Sequence, residues 1–179
     1  MAEMNEKTVS SKVIFQGKIF EVDLDEIEFP NGNHAPREVI YHHGGCAIVA
    51  LDENENLYLV SQYRYPFRKV LTELPAGKRD AGEEPIVTAK RELREEIGYE
   101  ADKWISLGSC LSSPGCFSEE LFLWLALDLK KTRQDLDPDE YLSIHKTSLK
   151  VAVEDVYTGK LTDSKTQIAI LKAWHYLHP

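Results

Sequence analysis

Gly77 to Tyr99, GKRDAGEEPIVTAKRELREEIGY, is the stretch that decides how this chain is read. It sets a glycine-containing loop ahead of a short helix. Pro85 suits the first helical turn, where no backbone N–H is needed, and Glu83 and Glu84 complement the positive end of the helix dipole. Ile86, Ala89, Leu93 and Ile97 recur at helical spacing and form the expected buried stripe. Gly98 follows the last periodic residue, where a left-handed cap belongs. Glu92, Glu95 and Glu96 then fall within one arc flanking that stripe, at the edge of an expected cleft. Three carboxylates on one patch repel each other, and a divalent cation reverses that cost. Oxygen-only donors favour Mg²⁺ or Mn²⁺ over zinc, and Mg²⁺ commonly bridges to a phosphate. The competing reading is a solvated helix laced by an Arg91–Glu95 pair, as RELREE runs often are.

The wider spacing decides between them. Gly77, five residues, Glu83, seven residues, Arg91-Glu92-Leu93, one residue, Glu95-Glu96, one residue, Gly98 and Tyr99 resembles the Nudix box at every defined position. Tyr99 stands where the family usually has an aliphatic residue. The chain is similar to the branch that cleaves ADP-ribose and nucleoside diphosphate sugars. The resemblance implies an α+β fold, a Nudix-type α/β/α sandwich of mixed sheets. It also implies hydrolysis that depends on Mg²⁺, or Mn²⁺ in its place, with two or three ions.

Length and charge agree with a small enzyme. The 179 residues, 42% of them hydrophobic, suffice for one packed core and a smaller added unit. A net charge of −9 argues against nucleic acid or an anionic membrane as the main partner. A small anionic substrate stays open, because a bound metal and a few arginines can invert the field inside a cleft. Cys46, Cys110 and Cys116 are odd in number and lack metal-ligand spacing, so reduced thiols in a cytoplasmic protein are expected. The opening MAEMNEKTVSSKV lacks a signal-peptide core, and no later stretch has the length and apolarity of a membrane span.

Two domains are expected, residues 1–43 and 44–179. In the first, Lys18–Phe29 alternates like a strand, Pro30-Asn31-Gly32-Asn33 signals a turn, and Arg37–Tyr41 returns. Such a hairpin is marginal alone and must pack on the main domain or on a second copy. In the second, strands are predicted over Cys46–Leu51, Leu57–Tyr63, Trp104–Leu111, Leu121–Leu129 and Ser143–Val151, with an acidic turn at Asp135–Glu140. Helices are predicted over Val153–Thr158 and Asp163–Leu177, the latter burying Ile168, Leu171 and Trp174 or Leu177.

The family resemblance assigns roles residue by residue. Glu92 and Glu96 match the principal metal ligands, Glu95 an accessory one, and the backbone carbonyl of Ala76 a further ligand. Arg91 would brace these carboxylates, and Glu83 would be a structural partner. Pro114, fifteen residues past Tyr99, resembles the proline that marks the ADP-ribose branch, with Gly115 beside it in a substrate-contacting loop. Five residues on from that proline, Glu119 matches the general base, and Glu120 is the adjacent alternative. Arg37 and Arg64 resemble the arginines that grip the diphosphate or terminal ribose, where a guanidinium fork suits phosphate oxygens. Phe15, Phe20, Tyr63, Tyr65 and Phe67 are candidates to sandwich a base; His42 and His43 are candidates for base or phosphate contacts, with ordinary strand-end histidines as the favoured reading. The resemblance also implies a homodimer whose N-terminal units cross to complete the base pockets. Two alternatives stand beside this reading: a broad nucleoside diphosphate sugar hydrolase acting on GDP-mannose or similar substrates, and a Nudix-fold nucleotide sensor without turnover.

Overall fold

The structure is a computed structural model that describes residues 4–136, 138 and 140–179. Its chain forms two compact units, one comprising the residues up to Gly44 with Leu111–Glu120, the other Gly45–Cys110 with Leu121–Pro179.

The first unit is built on an antiparallel meander of β1 (Lys7–Gln16), β2 (Glu21–Glu28) and β3 (His34–Tyr41). The turn after β2 is the predicted one, with Phe29 N–H donating to the Asn33 carbonyl and Gly32 N–H to Phe29. The predicted strand at Lys18–Phe29 is shorter, beginning at Glu21. β1 is a strand that the sequence pattern did not announce. KTVSSKVIFQ mixes polar and apolar residues and is exposed along its whole length, so no alternation of buried positions marks it. Backbone pairing with β2 makes it a strand.

In the second unit, β4 (Gly45–Ala50) is buried at every position. It runs parallel to β9 (Glu120–Lys131) and antiparallel to β7 (Ala76–Lys78), in a sheet of order β7-β4-β9-β8, where β8 is Tyr99–Leu111. A second sheet has the order β10-β5-β6, from Leu142–Ser148, Asn56–Arg64 and Lys69–Glu73. Alternate residues of β4 enter different cores. Cys46, Ile48 and Ala50 pack with Ala89, Leu93 and Ile97 of α1 (Pro85–Ile97). Ala47, Val49 and Leu51 pack with Leu149 and Ala152 of α2 (Leu149–Tyr157) and with Ala169, Ile170 and Ala173 of α3 (Ser164–Leu177). Helices on both faces of a mixed sheet make the α/β/α sandwich that was expected. Double coverage also explains why GCAIVA reads as a continuous apolar run and not as an alternating one. Each fully buried Leu or Ile here contributes about 1.5–3 kcal/mol.

One boundary and one buried face differ from the sequence reading. The strand predicted over Ser143–Val151 ends at Ser148, whose hydroxyl accepts from Val151 N–H and starts α2. On α3, the residues buried deepest are Thr166, Ala169, Ile170 and Ala173; Ile168, Leu171, Trp174 and Leu177 line the margin of that core. Small residues there let the helix backbone approach the sheet, and the large ones close the sides. Of the acidic turn at Asp135–Glu140, Asp137 and Asp139 lie outside the described residues. Among the described residues, no helix is long and apolar enough to cross a membrane, and Cys46, Cys110 and Cys116 form no disulfide.

Candidate active site

In the second unit the site is built on α1 and the short strand beside it. Pro85 opens the helix and Gly98 closes it at φ 70°, its N–H donating to the Arg94 carbonyl. Glu92 and Glu96 are buried, deeper than the cleft edge that the sequence pattern placed them on. The arc they share faces β7. Ala76 N–H donates to Glu96 Oε2 at 2.8 Å. A Cβ added to Gly77 would fall on the Glu92 carboxylate, so glycine leaves that group in its place, and a larger residue would make it move. Strand and helix are thereby joined through the two acids, which explains why the box needs a glycine at this position.

Arg91 is the hub of the remaining carboxylates. Its Nη1 donates to Glu92 Oε1 at 2.6 Å and to Glu95 Oε2 at 3.2 Å, and its Nη2 donates to the Lys78 carbonyl and to Glu83 Oε2. Glu83 also accepts from the Thr88 hydroxyl and from Asp80 N–H, which ties the loop to the helix. Arg91 and these partners hold the Glu83 carboxyl down to about 2. The other two acids move the opposite way. Burial pushes Glu92 up to about 7 against the pull of Arg91, and Glu96 up to about 8 against the Ala76 N–H bond. At Glu92 burial outweighs even the Arg91 pair, and a hard divalent cation would add the positive charge that favours both ionised acids.

The donors fit such an ion. Glu92 and Glu96 offer carboxylate oxygens, Glu95 a third at the half-buried rim, and the adjoining strand carbonyls neutral oxygen. Among the described residues no three acidic, imidazole or thiol groups form a ready-made cage. Mg²⁺ is commonly held by one or two carboxylates, with waters and substrate phosphate completing its shell.

Arg64, at the end of β5, turns its fork onto a partner that the sequence did not reveal. Its Nε and Nη2 donate to the two oxygens of Glu73 at 2.7 and 2.8 Å. Glu73 is almost fully buried and also accepts from Lys165 of α3, which pairs with Asp163 as well. Burial raises the Glu73 carboxyl, but Arg64 and Lys165 prevail and hold it at about 2. No local motif could have found this, because Glu73 and Lys165 lie far apart in sequence.

In the first unit, Arg37 forks onto Glu6, with Nε and Nη2 donating at 2.9 and 2.6 Å, and lies over the Phe29 ring. Pro114 and Gly115 sit in an exposed turn closed by Phe117 N–H donating to the Ser113 carbonyl. The turn is stitched to the end of β3: Ile40 N–H donates to the Cys116 carbonyl, and Ser118 N–H to the Ile40 carbonyl. Glu119 lies 3.7 Å from Nδ1 of His42, a nearly buried ring that also meets Phe117 edge-on. Glu120 begins β9. A concavity of about 440 Å³ is lined by Gly17, Lys18, Phe20, Tyr41, His42 and Ser118, among others. Neither reading of His42 from sequence, a base or phosphate contact or a strand-end histidine, anticipates its place beside Glu119.

Residues 6–40 match the nucleoside diphosphate sugar hydrolase N-terminal domain, and residues 41–171 match the NUDIX domain. The chain is 38% identical over 167 residues to the methanol dehydrogenase activator of Bacillus methanolicus, covering 92% of this chain and 90% of that one. It is 36% identical over 172 residues to the ADP-ribose pyrophosphatase of Bacillus subtilis, covering 95% and 93%. A crystal structure of an ADP compounds hydrolase shares the fold, with a TM-score of 0.85 at 21% identity over 99% of this chain and 96% of that one. With the box glutamates gathered on α1 and the NUDIX domain matched over residues 41–171, this chain belongs to the Nudix family.

Proposed function

We propose that the chain hydrolyses the pyrophosphate bond of ADP-ribose or a related nucleoside diphosphate sugar, releasing a nucleoside monophosphate and a sugar phosphate. The observation that carries this reading is the pair of buried carboxylates, Glu92 and Glu96, seated against Ala76 and Gly77. Their chemistry calls for a hard cation, and a hard cation bridges to phosphate. The names of the relatives supply the substrate class.

Glu92, Glu96 and the Ala76 carbonyl would hold Mg²⁺ or Mn²⁺, two or three ions in all, with Glu95 assisting. When bound, the metal neutralises the diphosphate and polarises the phosphorus under attack. Glu119, with Glu120 as the alternative, takes the proton of the attacking water. Arg37 and Arg64 offset charge on the nonbridging oxygens, and Pro114 and Gly115 shape the loop that meets substrate. In the structure both arginines are engaged with acids, Glu6 and Glu73, so gripping a diphosphate requires each to share or exchange its partner. The exposed pair Arg37–Glu6 exchanges more readily than the buried one.

The working form is a cytoplasmic homodimer. Its support is the N-terminal sheet, which leaves Val13, Phe15, Phe20 and Leu24 exposed. A fully active monomer at micromolar concentration, seen by analytical ultracentrifugation, refutes the dimer. The functional test is chromatographic separation of products from ADP-ribose, GDP-mannose and UDP-glucose, with and without Mg²⁺. Mg²⁺-dependent release of AMP and ribose 5-phosphate is expected. Comparable rates on all three would make the base pocket permissive, and tight binding without any product would make the chain a sensor.

A further inference from the structure

The segment His42–Gly44 touches both neighbours of Glu119 in sequence. On one side, His42 N–H donates to Ser118 Oγ at 2.9 Å, while Ser118 N–H donates to the Ile40 carbonyl at 2.9 Å. Ser118 is thereby held by backbone and side chain at once, and Phe117 pairs with Ile40 in a parallel bridge. On the other side, Gly44 takes φ 80° and lies so close to the Glu120 carbonyl that a Cβ at Gly44 would collide with it. The loop is therefore fixed immediately before and immediately after Glu119.

The His42 ring is fixed too. Gly44 N–H donates to His42 Nδ1 at 2.9 Å, so Nδ1 carries the lone pair and the ring proton of the neutral form sits on Nε2. Glu119 Oε1, 3.7 Å from that lone pair, receives no hydrogen bond from it. The carboxylate lies beside a wall formed by the ring, which is itself backed by Phe117.

We propose that His42–Gly44 is a positioning element for Glu119: the His42 amide, through Ser118 Oγ, and the glycine at position 44, through the Glu120 backbone, set the loop register from which Glu119 accepts a proton. This rests on the pyrophosphohydrolase reading above. Ser118 is exposed and fills no core, so it is a positioning residue whose hydroxyl can be removed without a packing cost. A displacement of about 1 Å in a reacting group lowers turnover by up to about a hundredfold.

The test compares wild type, Ser118→Ala and Ser118→Thr for kcat and KM on ADP-ribose with Mg²⁺, together with hydrogen exchange at the His42 amide. Ser118→Ala is expected to speed exchange at His42 and to lower kcat by about ten- to a hundredfold at nearly constant KM. Ser118→Thr, which keeps the acceptor oxygen, should restore both. If Ser118→Ala speeds exchange and leaves kcat unchanged, or if kcat falls and Thr does not restore it, the positioning role is overturned. A wild type that turns over no nucleoside diphosphate sugar overturns the pyrophosphohydrolase reading, and the role falls with it.

Discussion

Ala76 N–H and Glu96 Oε2, 2.8 Å apart, join a three-residue strand to the helix that carries most of the Nudix box. That bond is the strongest force visible against the rise in the Glu96 carboxyl caused by burial. Glu96→Gln keeps an oxygen for Ala76 while removing the charge. The variant should retain its metal-free Tm, lose the increase in Tm that Mg²⁺ gives the wild type, and lose several orders of magnitude in kcat. Calorimetry with and without Mg²⁺ checks it; near-normal turnover would remove Glu96 from the metal site.

Gly77→Ala tests the seat of Glu92. Because the new methyl group falls on that carboxylate, either the strand or the acid must move. The expected cost is about 1–3 kcal/mol, read by urea unfolding. Turnover should fall by more than the stability loss explains, because Glu92 leaves its place.

Glu119→Gln should lower kcat while leaving KM and Mg²⁺ binding near the wild-type values, since it removes a proton acceptor and not a metal ligand. Glu120→Gln is the comparison. If the second variant is the damaging one, the proton acceptor lies one residue later, at the start of β9.

Glu73 yields a pH prediction for stability. Its carboxyl ionises at about 2 in the folded chain, against 4.5 for an unperturbed glutamate. A depressed folded value means that the unfolded chain binds the proton first as pH falls. The stabilisation is therefore fully present above pH 4.5 and is lost between 4.5 and about 2. It amounts to about 3 kcal/mol. Tm followed from pH 6 down to about 2.5 should fall more steeply in the wild type than in Glu73→Gln.

The elements legible in the sequence were those whose signal is local. Pro85 and Gly98 bracket α1 as their backbone preferences dictate, and the run of β4 declares burial on both faces. β1 was missed because pairing with β2, and not a buried face, makes it a strand. On α3 the predicted Ile168, Leu171, Trp174 and Leu177 pack against the core, but helical spacing weights large residues and so passes over Ala169 and Ala173, which are buried deeper. The glutamates of the box could be placed on one arc from spacing alone. Their depth, the seat at Gly77 and the Arg64–Glu73–Lys165 chain depend on where β7, β6 and α3 come to lie, which no single stretch encodes.

The parallel pairing of β4 with β9 also governs the order in which the chain can take shape. On its parallel side Cys46 pairs with Phe122, and Ala50 with Ala126. Until that length has left the ribosome, the apolar GCAIVA segment has no parallel partner, while the meander of β1 to β3 can close at once from neighbouring strands. Synthesis therefore passes through a stage in which β4 has β7 and α1 at hand but its parallel edge is unpaired, and slowing translation before Phe122 should increase the demand for chaperones.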